Sequence, residues 1–174
     1  MNKIKFLAVT FLLFSSVLFT SCDDEPIDPA LNYEAVNNGG GNSGGEVITY
    51  SIKVTQDGVS KQWNTTQAIY IKSFDAMTIT GSNGSTSMTL FLASGIESKV
   101  YPFESKDVAG GYTENANIYS SDFDDNSQGN ITVTELNKTN KTIKGTFNFT
   151  GKNEDMTVSK VFTNGEFFVK YSEQ

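Results

Sequence analysis

From Glu46 to Ser172 apolar and polar positions alternate with a period of two, and clusters of Gly, Asn, Asp and Ser separate the alternating runs. No stretch of this span repeats apolar residues at 3.6-residue spacing, and Pro102 is its only proline. A period of two puts successive side chains on opposite faces of a strand, so the pattern predicts strands joined by tight turns. They are expected near 47–56, 59–64, 67–72, 76–81, 86–93, 98–103, 115–120, 130–137, 141–150, 156–163 and 166–172. About 9–11 strands in one domain over 46–174 describe an all-β fold, an antiparallel β-sandwich or flattened barrel.

The turn residues also predict registers, because a hairpin must set apolar residues opposite apolar residues on one face. Asp57-Gly58 as a two-residue turn sets Ile52 opposite Trp63, and Asn83-Gly84 sets Ile79 opposite Met88 and Met77 opposite Leu90. A three-residue loop Ser73-Phe74-Asp75 pairs Ile71 with Met77 and Ile69 with Ile79, leaving Tyr70 on the polar face opposite Thr78. A loop Lys138-Thr139-Asn140, with Asn140 left-handed, sets Val133 opposite Gly145 and Ile131 opposite Phe147. Asn164-Gly165 as a hairpin turn would bring Phe162 against Phe167 and Val158 against Tyr171.

The first 45 residues are patterned differently. Lys3 and Lys5 precede an apolar run, Phe6 to Phe19, of 14 residues interrupted by Thr10, Ser15 and Ser16. That is shorter than the roughly 20 residues a spanning helix needs, and it reads as a secretory signal over 1–21. Leu18-Phe19-Thr20-Ser21-Cys22 resembles the lipobox of bacterial lipoproteins, and Cys22 is the only cysteine in the chain. The resemblance implies a covalent lipid on the Cys22 sulfur, hence a membrane partner through the anchor and no other cofactor. Asp23, Asp24 and Glu25 follow at once, an acidic cluster similar to the surface-export signal of Bacteroidota lipoproteins. It implies an outer-membrane protein facing the medium; a periplasm-facing anchor, an inner-membrane retention signal or a plain solvated tether are the alternatives. Over 22–45, Pro26, Pro29 and the run Asn37 to Gly45 hold too little apolar surface to offset ordering entropy, and a flexible tether is expected.

Composition narrows the chemistry. The chain of 174 residues has no His and no Arg, and all 13 of its cations are Lys. Ser-His-Asp triads, Cys-His pairs, imidazole ligation and disulfides within the chain are thereby excluded. A net charge of −7 argues against nucleic acid as a partner. Five of the 20 acids lie in the tether, leaving 15 acids against 11 lysines over 46–174, a mild −4. Ser, Thr and Asn together supply 53 residues, so the polar surface is built mostly of uncharged hydrogen-bonding groups.

Three candidate sites follow. Asp122, Asp124 and Asn126 occupy alternate positions as at the start of a calcium loop, yet Ser127 stands where such a loop turns on Gly and Val133 where it ends on an acid. A solvated connection is the ordinary alternative. Tyr70, Tyr112 and Tyr119, ahead of Trp63 and Tyr101, could form a flat stacking platform for sugar rings. Paired acids such as Asp124-Asp125 or Glu154-Asp155 could serve a carboxylate-based hydrolase of polysaccharide, although neighbours on a strand point to opposite faces.

Gln56-Asp57-Gly58-Val59-Ser60-Lys61-Gln62-Trp63, Gly129 to Leu136, Ile143 to Phe149 and Val161 to Phe167, in that order, resemble a family of flavobacterial lipoproteins known only as a domain of unknown function. That resemblance implies neither an activity nor site residues. The reading as a whole is a lipid-anchored, non-enzymatic binding or structural module, contacting glycan or an envelope protein through the outer face or loop end of its sandwich. A polysaccharide hydrolase and a self-associating coat component are the alternatives.

Overall fold

The computed structural model describes residues 48–174. Its strands are β1 (Ser51–Gln56), β2 (Val59–Trp63), β3 (Thr65–Ile71), β4 (Ala76–Ser82), β5 (Thr86–Ala93), β6 (Val100–Pro102), β7 (Val108–Glu114), β8 (Asn117–Ser120), β9 (Gly129–Asn137), β10 (Thr142–Lys152) and β11 (Ser159–Glu173). Three single 3₁₀ turns, Lys72–Phe74, Phe103–Ser105 and Ser121–Phe123, complete the elements. The fold is all-β, as the alternation predicts.

The strands form one continuous sheet in the order β2-β1-β11-β3-β4-β5-β7-β8-β10-β9-β6, and a further β10–β11 pairing folds it back on itself. Two layers result, β2-β1-β11-β10-β9-β6 and β3-β4-β5-β7-β8. β11 is one corner: it pairs with β10 along one edge and, along the other, with β1 up to Phe168 and with β3 from Tyr171. The single bridge Lys152↔Ser120 between β10 and β8 makes the second corner. The β3–β11 pairing is parallel, which departs from the wholly antiparallel expectation: β1 is antiparallel to both β2 and β11, and β3 follows β2 after Asn64 alone, so it runs in the same direction as β11.

Between the layers runs an aromatic file. Trp63 of β2 meets Tyr112 of β7 at 6.2 Å between ring centroids, Tyr112 meets Phe162 at 5.3 Å, and Phe162 stacks on Phe149 at 4.6 Å. Ile52, Ile79, Met88, Leu90, Leu92, Ile131, Ile143 and Val169 are fully buried around it. At about 1.5–3 kcal/mol for each large apolar side chain removed from water, this file and its neighbours dominate the favourable free energy of folding.

The registers separate what periodicity fixes from what it does not. Asp57 and Gly58 both have positive φ, as a type I′ turn needs, and Ile52 pairs with Trp63 as expected. At the next hairpin the turn is Gly84-Ser85 and not Asn83-Gly84: Gly84 has φ 88°, and Ser82 pairs with Ser87. Asn83 closes the turn from outside, its Oδ1 accepting from the Thr86 amide and hydroxyl at 2.9 Å each. The register moves by two, so Ile79 faces Leu90 and Met77 faces Leu92, and every side chain keeps its predicted face. Between β3 and β4 the loop gains one residue, Lys72 joining as a 3₁₀ turn with Asp75 left-handed. That odd shift flips the faces: Tyr70 pairs with Met77 and packs inward, against expectation. At β9–β10 two departures cancel. The loop is four residues with Lys141, not Asn140, at positive φ, and the extra Thr134 bulges out of β9, so Val133↔Gly145 and Ile131↔Phe147 survive.

Asn164-Gly165 is no hairpin. β11 runs unbroken through it, and Asn164, at φ 51°, forms a bulge that shifts the register against both β1 and β10. One extra residue inverts the alternation, which is why Phe162 and Phe167, at odd spacing, are both buried. A long strand with partners on both edges outcompetes a local turn signal. β7 was not expected, because Val108-Ala109-Gly110-Gly111 reads as a loop. Gly110 is needed there because an added Cβ would stand 2.8 Å from the Phe149 ring of the opposite layer. One missed strand and one strand expected as two leave the count at eleven.

Candidate binding groove

Cys22, Asp23, Asp24 and Glu25, with the tether, lie outside the described residues. The other expected site residues are placed, and most are engaged in the fold. Tyr112 is only 1% exposed, because β7 carries it into the aromatic file, and Trp63 is equally buried with its Nε1 donating to Thr86 Oγ1 at 3.0 Å. Tyr119 is half-buried beside Tyr112, and Tyr70 leans edge-on against Tyr171 while its hydroxyl donates to Asp75 at 2.7 Å. That bond, with a backbone amide from Gly95, holds the Asp75 carboxyl below the usual range. These tyrosines present no shared flat face, and the stacking platform expected from Tyr70, Tyr112 and Tyr119 is not formed.

The Ser120–Asn130 connection is built from internal caps. The Ser120 hydroxyl accepts from the Asp122 amide, and Asp124 Oδ1 accepts from the Asn126 amide. The other oxygen of Asp124 pairs with Lys152 at 2.7 Å, which lowers its pKa, and Asp125 pairs with Lys106 at 3.2 Å. Asp122, Asp124 and Asn126 therefore serve turns and an ion pair, and among the described residues no three carboxylates converge as a metal site. Glu154 and Asp155 lie exposed in the β10–β11 turn, which Asn153 closes by accepting from the Val158 amide at 2.8 Å.

Glu114 is the most engaged acid. Its carboxylate accepts from Lys61 at 3.0 Å, from the Tyr112 hydroxyl at 2.8 Å and from Lys160 at 3.1 Å. The Lys61 bond above all, with those of Tyr112 and Lys160, lowers its pKa to about 2. Lys160 also lies over the Tyr119 ring at 4.9 Å. The cluster ties β2, β7 and β11 together across the two layers.

The outer face of the first layer offers the more open site. A groove of about 650 Å³ is lined by Ile48, Tyr50, Glu135, Asn137, Thr139, Asn140, Lys141, Thr142, Phe168 and Lys170. Its aromatic part is the Tyr50–Phe168 pair, with ring centroids 5.2 Å apart and planes tilted by 52°. Phe168 points outward because Phe167 beside it points in, and that Phe-Phe doublet was the signal in the sequence that the two rings face opposite ways. Tyr50, just before β1, had no such signal. Cross-strand rows arrange the rest: Ser51, Phe168, Lys144 and Glu135 in one, and Lys170, Thr142 and Asn137 in the next. Asn137 Oδ1 accepts from the amides of Thr139 and Asn140 at 3.1 and 2.9 Å, which leaves its amide nitrogen as donor. Aromatic faces, amides, hydroxyls and lysines around a volume of this size suit a ligand that is polar at its edges and apolar on its faces. A smaller depression of about 320 Å³ continues along β10–β11 at the bulge, between Asn148, Asn164 and Glu166.

No curated protein matches the chain, and no solved structure matches it. A family model does, over residues 45–169, which takes in ten of the eleven strands whole and most of β11. The chain belongs to the family described as Domain of unknown function (DUF6252).

Proposed function

We propose that this protein is a lipid-anchored, non-enzymatic binding module of the outer membrane, displayed at the cell surface, that holds a glycan in the groove along β10 and β11. The observation that carries the binding reading is the Tyr50–Phe168 pair set among Asn137, Asn140, Thr142 and Lys170. A pyranose ring has apolar C–H faces and a rim of hydroxyls, which matches rings below and amide and hydroxyl groups around. The anchoring reading rests on Cys22 at the end of the apolar run and on the acids after it.

The test is binding of the full-length protein to an array of cell-surface and plant polysaccharides, with Phe168→Ala and Tyr50→Ala beside it. Each substitution should weaken binding about tenfold, equivalent to about 1.4 kcal/mol. Unchanged binding in both variants overturns the groove reading. Membrane fractionation of Cys22→Ser separates the anchor from the groove: the substitution should release the protein and leave glycan binding intact.

A further inference from the structure

We infer that the groove holds several consecutive units of a linear polysaccharide, with the depression at the β11 bulge as its second subsite. This rests on the glycan reading above and adds to it the length of chain that is bound. The two depressions lie along the same two strands, the first around Tyr50 and Phe168 and the second around Asn148, Asn164 and Glu166. Thr142, Lys144 and Thr146 of β10 stand across from Lys170, Phe168 and Glu166 of β11, and Asn148 is the next alternate position. Alternate residues share a face, so these pairs follow one another as rungs on the outer side. From Thr142 to Asn148 the run is about 20 Å long, several times the width of one sugar ring. A single ring on the Tyr50–Phe168 pair leaves most of it uncovered.

The bulge makes the second subsite. An extra residue breaks the ladder and re-aims the side chains beside it. Here that residue is Asn164, held at φ 51°, and the register against β10 shifts between Phe147 and Phe149. Asn148, Asn164 and Glu166 are all exposed around the depression of about 320 Å³ at this point, while its one ring, Phe147, is buried. Two amides and a carboxylate donate to and accept from sugar hydroxyls, so this subsite grips the rim of a sugar where the Tyr50–Phe168 pair grips a face. Between the two, Lys144 is the outward residue of β10, and its flexible stem can turn aside for the chain.

The experiment titrates the full-length protein, by calorimetry, with fragments of each polymer that the array retains, from the disaccharide to the hexasaccharide, and with cello- and xylo-oligosaccharides of the same lengths in every case. For a series that binds, affinity should rise at least about tenfold from the disaccharide to the hexasaccharide, because the second subsite engages a unit already tethered at the first. Asn148→Ala and Asn164→Gly, singly and together, should reduce that rise, the pair to less than about threefold, whereas Phe168→Ala should weaken binding at every length. Urea unfolding followed by Trp63 fluorescence verifies that each variant keeps the fold. Affinity that does not grow beyond the disaccharide, growth that the paired substitutions leave intact, or a retained polymer whose hexasaccharide does not bind overturns the inference and leaves the glycan reading standing. Absence of binding to every polymer and every oligosaccharide overturns both.

Discussion

Replacing Glu114 by Gln keeps the volume of the side chain and one oxygen acceptor but removes the charge that Lys61, Lys160 and the Tyr112 hydroxyl converge on. The Glu114 pKa falls from 4.5 to about 2, and at 1.36 kcal/mol per pH unit that would correspond to roughly 3 kcal/mol of linkage. The side chain is 28% exposed, and solvent screens part of this, so about 1–2 kcal/mol is the expected loss at pH 7. Because the folded pKa lies below the unfolded one, the contribution is complete above pH 4.5 and is lost as pH falls toward 2. Trp63, the only tryptophan and 1% exposed, reports unfolding by fluorescence in urea. Wild type and Glu114→Gln should differ by about 1–2 kcal/mol at pH 7, with equal m-values, and the gap should narrow steadily below pH 4.5. A gap under about 0.3 kcal/mol at pH 7, or one that stays constant down to pH 3, would refute the argument that this charge clasps the layers.

Other substitutions probe separate parts of the fold. Leu90→Ala, in a fully buried position, should cost about 2–5 kcal/mol in the same urea assay. Gly110→Ala should cost about 1–3 kcal/mol, since its new methyl meets the Phe149 ring and forces one layer off the other. Asn164→Gly should be neutral or stabilising by up to about 1 kcal/mol, because the bulge holds this position at φ 51°; a clear loss would mean that the asparagine side chain matters there.

The sequence by itself determined the class of fold and, for most strands, which side chains face inward. Alternation is a local property: Ile52, Ile79, Leu90, Val133 and Phe147 are buried because a period of two leaves them no other face once one side is covered. The Asp57-Gly58 turn was legible for the same reason, since its left-handed φ values are a property of two residues. Turn signals weakened wherever a longer-range partner competed. Asn164-Gly165 reads as a hairpin but became a bulge, because β11 gains partners on both edges by running straight on. β7 was invisible because its Gly-Gly carries no strand signal, and Gly110 is required only by Phe149 in the other layer.

The candidate site divides along the same line. The Phe167-Phe168 doublet carried a signal that its two rings face opposite ways, and the proposed lipidation of Cys22 is read from its neighbours in the sequence alone. The platform of Tyr70, Tyr112 and Tyr119 failed because whether an aromatic is core or surface depends on what packs over its strand, and Tyr70 in addition changed face through one residue of loop length. The groove itself joins Tyr50, the β9–β10 loop and Lys170, which lie far apart in the chain. Only the closure of the sheet through β11 sets them side by side, and no pattern of neighbouring residues encodes that proximity.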